Sequence, residues 1–339
     1  MAAVRFWGGD LMQQAGGDLV KHYRDLAFMG FVEVVSNLRT IFRNLAFCKD
    51  DILSHQPDAL VLIDYPGFNL RIAKWAKQQG LKVIFYISPQ VWAWKESRVK
   101  MMKQCIDKML VILPFEKKYF EERWNWQVEY VGHPLVEEID SYKAKYAGAP
   151  LEKPIIALLP GSRKQEIAKK LPIMLETTRS FPAYQFIIAQ APSLDESFYK
   201  TFTQDFPNVS SVSNKTYELL MKSKAAMVTS GTATLETALF GIPEVVCYKG
   251  SPVSYQIAKR LIKVKYISLV NLIMDKLVVH ELIQDDLTPA NLSRELDQLL
   301  NDKKRIEQLK QDYTDLKQIL SEGGNASAKA ARSIVDFLC

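Results

Sequence analysis

Val228–Pro243 reads VTSGTATLETALFGIP, and its reading decides the fold. The residues leading into it, AAMV, are apolar without a break, as in a strand buried on both faces. Ser230, Gly231 and Thr232 then form a turn of small residues. Thr234, Leu235, Ala238 and Leu239 recur at helical spacing, with Glu236 in the first turns of that helix. Gly241-Ile242-Pro243 stops the helix, and EVVCY begins the next strand. A glycine turn that opens a helix presents unpaired backbone N–H groups and the positive end of the helix dipole. The expected unit is therefore strand, anion-binding turn, helix, strand.

Ile155–Arg163, IIALLPGSR, has the same plan: a buried-type strand, a Pro-Gly-Ser turn, then an arginine. Arg163 carries a permanent charge in a planar fork that suits phosphate oxygens. Gly161, Ser162 and Arg163 in this turn, with Ser230, Gly231 and Thr232 in the other, are candidates to hold one anionic ligand. Each turn alone also fits an ordinary strand-to-helix connection. A third strand end lies in Pro57–Asn69, PDALVLIDYPGFN. Asp64 closes that strand, where ligands bind in parallel sheets. It reads either as a general base or as a turn-forming or helix-capping aspartate.

The segments LKVIFYIS, MLVILP, VEYVGHP, YQFIIAQ and VSSV continue the alternation of strands with helices, which argues for parallel α/β throughout. Tyr266–Asn271, YISLVN, reads as strand-like with Asn271 in the turn, and 281–302 as largely helical. The last stretch reads as two helices broken at Gly323-Gly324. The polar run from Leu135 to Lys153 is the expected domain boundary, giving domains at 1–150 and 151–322, with a terminal helix at 323–339 packing back on the first. Trp92 and Trp94, beside Lys95 and Arg98, fit a sugar-stacking platform or a core equally. His133, ahead of a proline, reads as structural. Phe28–Phe47, FMGFVEVVSNLRTIFRNLAF, is an apolar helix with Arg39 and Arg43 on one face. It reads either as a core helix or as a surface helix that dips into a bilayer with its arginines at phosphate level.

The 339 residues allow two domains, with an ordinary 48% hydrophobic and 24% charged composition. A net charge of +6 suits an anionic ligand or membrane surface and is too small and scattered for nucleic acid. The four cysteines have no pair spacing, which points to a reducing compartment. The four histidines are dispersed, with no HExxH, so no metal site is expected.

Two Rossmann-like halves, the C-terminal one carrying the phosphate turns, resemble a GT-B glycosyltransferase. RFWGGDLM, FMGFVEVV, IDYPGFNLRIAK, YISPQVWAWK, ILPFEK, VGHPL, LLPGSR, VTSGTATLE and YISLVN, in this order over nearly the whole chain, resemble the lipid-A-disaccharide synthase family. The resemblance implies an α/β GT-B fold of two Rossmann-like domains facing a cleft. It implies an inverting β-1,6 transfer of 2,3-diacylglucosamine from UDP to 2,3-diacylglucosamine 1-phosphate. The products are lipid A disaccharide 1-phosphate and UDP, formed without a cofactor on the cytoplasmic side of the Gram-negative inner membrane, with a homodimer as the candidate assembly.

Residue by residue, Asp64 matches the family's candidate base and Arg163 the arginine at the UDP diphosphate, with Gly161 and Ser162 in its turn. Ser230, Gly231 and Thr232 match the phosphate turn, Glu236 the acid at the ribose, and Asn271 an asparagine near the nucleotide. Phe31, Val35, Leu38, Arg39, Phe42 and Arg43 fall in the family's membrane-contacting patch. The family begins with a strand and a GE[A/L]SGD-type loop ahead of the strand matched by VRFWGG. This sequence has neither, so the first domain is expected to be truncated at its N-terminus, with two strand edges unpaired. The alternatives are another UDP-sugar GT-B enzyme, against which PQVWAW and IDYPGFN speak, and a non-catalytic UDP- or lipid-binding remnant, which turnover would exclude.

Overall fold

The computed structural model describes residues 3–23, 38–146, 154–251, 255 and 264–339. The architecture is alternating α/β, with two Rossmann-like parts. One compact unit gathers residues 1–85 and 101–107 with Leu338; the other gathers 86–100, 108–337 and Cys339. The expected boundary at residue 150 lies outside the described residues.

In the first unit, β1 (Arg5–Gly8) and β2 (Asp18–His22) pair in parallel as a two-stranded sheet of their own. Strand β3 (Ala59–Ile63) lies beside β4 (Lys82–Tyr86), and the helix Pro66–Gln78 connects them. That helix buries Ile72, Ala73 and Ala76 along one stripe, while Val83, Ile84 and Phe85 of β4 have no exposed surface. The helix expected over 28–47 runs from Leu38 to His55, past Phe47; residues 24–37 lie outside the described residues.

The second unit contains β5 (Lys108–Val111), paired with β6 (Glu129–Tyr130), and a six-stranded sheet. Its strands are β7 (Ile155–Leu159), β8 (Gln185–Gln190), β9 (Val209–Ser213), β10 (Ser223–Thr229), β11 (Glu244–Tyr248) and β12 (Glu281–Ile283). Every residue of β7 is buried, as its unbroken IIALL requires of a parallel strand covered on both faces. The spatial order is β12-β11-β10-β7-β8-β9, all parallel. The chain starts at β7, winds outward to β9, then returns to β10 on the other side. The reversal leaves a switch point between β7 and β10, where doubly wound sheets bind ligands at the carboxyl ends of their strands.

Two readings of this half differ from the structure. YISLVN is not a strand: Ser268 caps a helix, Leu269–Met274, by accepting from the Asn271 N–H at 3.2 Å. Glu281–Ile283 is the edge strand β12, and the helix follows only from Pro289 to Asn301. The terminal helices span Lys303–Ser321 and Ala326–Leu338, broken where expected. At the break a Cβ on Gly323 would come within 2.4 Å of the Gly132 N, so the backbones meet only because both residues are glycine. The Tyr130 hydroxyl donates to the Ile319 and Leu320 carbonyls at 3.2 Å, and Lys329 Nζ donates to the Tyr130 carbonyl at 2.8 Å. The chain end is thus held against β6.

Candidate active site

The two glycine turns expected to share a ligand are neighbours. Leu159 pairs with Val228 at the ends of β7 and β10, so Pro160–Arg163 and Ser230–Thr232 emerge side by side at the switch point. Gly161 has φ +122° and Gly231 φ +138°, values that L side chains rarely adopt. Arg163 is the N-cap of the helix Lys164–Thr178, and Gly231 that of the helix Thr232–Phe240. Neither helix end has a capping side chain, and, chain neighbours apart, nothing among the described residues lies within 4 Å of the position a Gly231 Cβ would take. Open backbone N–H groups at two helix starts make an anion cradle.

Arg163 is exposed and donates to Glu166 Oε1 at 2.8 Å. That ion pair lies on the surface and contributes little to stability, so the guanidinium can exchange it for a phosphate. Ser162 and Thr232 are exposed at the turn tips. Ser230 is half-buried, and its hydroxyl donates to the Ile267 carbonyl at 2.9 Å, so its proton braces the neighbouring segment. Glu236 lies one turn into its helix, half-buried, and accepts from the Tyr217 hydroxyl at 3.2 Å on Oε1. Burial raises its carboxyl above the usual range, against the Tyr217 bond that lowers it.

Asn271, expected beside a nucleotide, is closed off. It has no exposed surface, and its side-chain amide is fully used. Nδ2 donates to the Val279 carbonyl at 2.8 Å and to Glu281 Oε1 at 2.9 Å. Oδ1 accepts from the Val278 and Val279 N–H groups at 2.8 and 2.9 Å. Glu281, which sequence reasoning missed, also accepts from the Ile267 and Ser268 N–H groups, at 3.0 and 2.9 Å. Asn271 and Glu281 therefore fix Ile267 and Ser268, the segment on which Ser230 leans. Asn271→Ala would strand these buried partners, at about 1–3 kcal/mol each. We expect a loss of about 4 kcal/mol or more in stability by denaturant unfolding; unchanged stability with a selective loss of nucleotide affinity would instead make Asn271 a direct contact.

In the first unit, Asp64 and Tyr65 are consecutive left-handed residues, at φ +46° and +43°. Aspartate tolerates this conformation; tyrosine adopts it at a cost. Asn69 Nδ2 holds the bend by donating to the Ile63 and Asp64 carbonyls at 3.0 and 2.8 Å. Asp64 is not the helix cap: the following helix has Tyr65 at its N-cap and no capping side-chain bond. Asp64 is exposed, and its carboxylate has no hydrogen bond or ion pair among the described residues. The helix-capping alternative left open by sequence is thus excluded, while the turn-forming one fits the left-handed bend and stands beside the general-base reading.

The other candidates divide. Trp92 is packed edge-on against Phe115 at 4.9 Å and donates to Glu116 Oε1 at 3.1 Å, so it belongs to the core. Burial pushes the Glu116 carboxyl up to about 8, although it also accepts from the Leu113 N–H. Trp94 is 54% exposed, with Lys95 Nζ 4.0 Å from its ring centroid, and stays available. His133 is buried and caps the helix Pro134–Lys145 by accepting from the Leu135 N–H at 3.3 Å; burial lowers its pKa to about 4. Of the patch expected at a membrane, Phe31 and Val35 lie outside the described residues, and so does the side chain of Leu38. Arg39 and Arg43 are exposed and Phe42 is 61% exposed, while Asn44, Leu45 and Cys48 are buried, so this part of the helix has one exposed and one buried face.

A family model described as Lipid-A-disaccharide synthetase matches residues 3–335. The lipid-A-disaccharide synthase of Trichlorobacter lovleyi is 37% identical over 328 residues, covering 94% of this chain and 85% of the relative. Lipid-A-disaccharide synthase 1 of Legionella pneumophila is 37% identical over 342 residues, covering 98% and 88%. Among solved structures, the chain is similar to UDP-GlcNAc 2-epimerase from Neisseria meningitidis, with a TM-score of 0.65, 12% identity and 94% and 86% coverage. It is equally similar to the glycotransferase of kitacinnamycin, with a TM-score of 0.65, 13% identity and 99% and 91% coverage. These two likenesses concern the fold, which is the two-domain GT-B type.

Proposed function

The chain belongs to the lipid-A-disaccharide synthetase family, hexosyltransferases that transfer a UDP-linked diacylglucosamine, and from that membership we propose which of its residues do the work. UDP sits at the switch point between β7 and β10, its diphosphate on the Gly161–Arg163 and Ser230–Thr232 turns. The observation that carries this reading is the pairing of two uncapped glycine turns, one bearing Arg163, at adjacent strand ends. Glu236 takes the ribose hydroxyls with the carboxylate oxygen that Tyr217 leaves free. Asn271 serves the site indirectly, by fixing the segment against which Ser230 leans.

The substrates are UDP-2,3-diacylglucosamine and 2,3-diacylglucosamine 1-phosphate. Asp64 accepts the proton of the acceptor 6-hydroxyl as its oxygen bonds to the anomeric carbon. The bond from that carbon to the diphosphate breaks, and UDP leaves with the electron pair. Arg163 and the two helix starts carry the growing charge, which is where fixed dipoles contribute most. Residues 1–150 take the acceptor and 151–322 the nucleotide sugar. Phe42 enters the lipid surface while Arg39 and Arg43 meet phosphate headgroups on the cytoplasmic face of the inner membrane, with a homodimer as the working form. Among the described residues, no helix is long and apolar enough to cross a membrane.

The test is product formation from the two lipid substrates in detergent. Disaccharide 1-phosphate and UDP are expected in equal amounts. UDP binding without any disaccharide would overturn the catalytic reading and leave a nucleotide-binding protein.

A further inference from the structure

Lys170 is a buried cation with no role in the chemistry proposed above. It lies on the helix Lys164–Thr178 with 3% of its surface exposed. Its neighbours in the helical stripe, Ile167, Leu171 and Met174, have no exposed surface, so a lysine here faces the protein interior. Its ammonium donates to the hydroxyl of Thr229, the last residue of β10 and the one before Ser230. On its other side, Nζ is 3.4 Å from where a Gly161 Cβ would stand. One side chain therefore reaches both turns from beneath.

The charges around Gly161 explain what it does there. Arg163 and Glu166 form an ion pair at 2.8 Å and cancel. Lys170 adds beside these turns a positive group that lies within ion-pair distance of no carboxylate among the described residues. Burying an ammonium beside a hydroxyl and no direct carboxylate partner among the described residues costs stability. Burial lowers its pKa, opposed by Glu166 and Cys247 and aided by Arg163. A buried amine placed between two open anion turns belongs to the ligand's electrostatics.

We propose that Lys170 is a further diphosphate-binding residue, supplying the buried positive charge that the two glycine turns share. The inference rests on the nucleotide reading of those turns. It adds a fixed charge beneath the leaving group that, unlike Arg163, has no carboxylate to exchange for it.

The test titrates UDP calorimetrically, and uridine by NMR, against wild type, Lys170→Met and Arg163→Ala. Methionine keeps the length and apolar stem and removes the buried charge together with its bond to the Thr229 hydroxyl, so the variant should melt near the wild-type temperature. The expected result is UDP binding weakened about tenfold or more, the scale of one charge-assisted bond, with uridine affinity unchanged. Equal UDP affinity in Lys170→Met and wild type would overturn the inference. So would a parallel loss of UDP and uridine, which marks a purely structural residue. If Arg163→Ala alone weakens UDP, the turns keep the diphosphate and only the Lys170 inference falls. If neither variant does, the nucleotide reading falls with it. Should the methionine variant not fold, Lys170→Gln decides by the same criteria.

Discussion

Asp64→Asn is expected to lower turnover by roughly a hundredfold or more, the range for a positioned general base, while UDP affinity stays near wild type. The substitution is close to a single-atom change. Asparagine adopts the left-handed conformation that the φ of +46° demands, and the Asn69 braces bind backbone carbonyls that the change does not touch. The bend should therefore survive, and only the proton acceptor is lost. The local strain at Asp64-Tyr65 is the kind that persists where a side chain must be aimed. Initial rates of disaccharide formation, with UDP affinity measured separately, check the outcome. Normal turnover would place the base elsewhere. His133 would then be a poor successor, since its Nδ1 is occupied by the Leu135 N–H and its ring is buried.

Arg163→Ala is expected to weaken UDP binding by about 1.5–3 kcal/mol, the range of a charge-assisted hydrogen bond. The side chain is exposed and its Glu166 partner is a surface pair, so removing it should change the melting temperature little. Two effects oppose on binding: the phosphate gains a donor fork, and the weak surface pair with Glu166 is given up. Arg163→Lys should fall between wild type and alanine, because it keeps charge but not bidentate geometry. Calorimetric titration distinguishes the cases, and equal affinities across the series would remove Arg163 from the site.

The strands and anion turns were legible because they are local. IIALLPGSR and AAMVTSGTATLE each carry their own start, turn and helix, and both hold in the structure. What local pattern could not supply was the partners. Glu281 sits 10 residues beyond Asn271 at the start of an edge strand, and nothing in ELIQDD announces a carboxylate that caps Ile267 and Ser268. YISLVN reads as strand-like because its apolar residues suit a strand and a short helix alike; the Ser268 cap decides, and a side-chain bond of that kind is invisible in propensity. Lys170 did leave a signal. It stands three after Ile167 and four before Met174, at core spacing on an apolar stripe. A lysine at such a position in a helix that follows a phosphate turn is a residue to single out. Trp92 and Trp94 show the opposite limit: two apart in the same motif, one is packed and bonded and the other is exposed, a split set by Phe115 and Glu116 from another helix.

Hydrogen exchange of the full chain, with and without UDP, probes the diphosphate site at the groups that form it. If the diphosphate rests on backbone N–H groups, UDP should slow exchange in peptides covering 160–166 and 229–236. Peptides from the helix Ala326–Leu338 should be unaffected. Protection confined to those two turns is the expected result. Unchanged exchange at both turns under saturating UDP would contradict this placement of the nucleotide, whatever the activity of the enzyme.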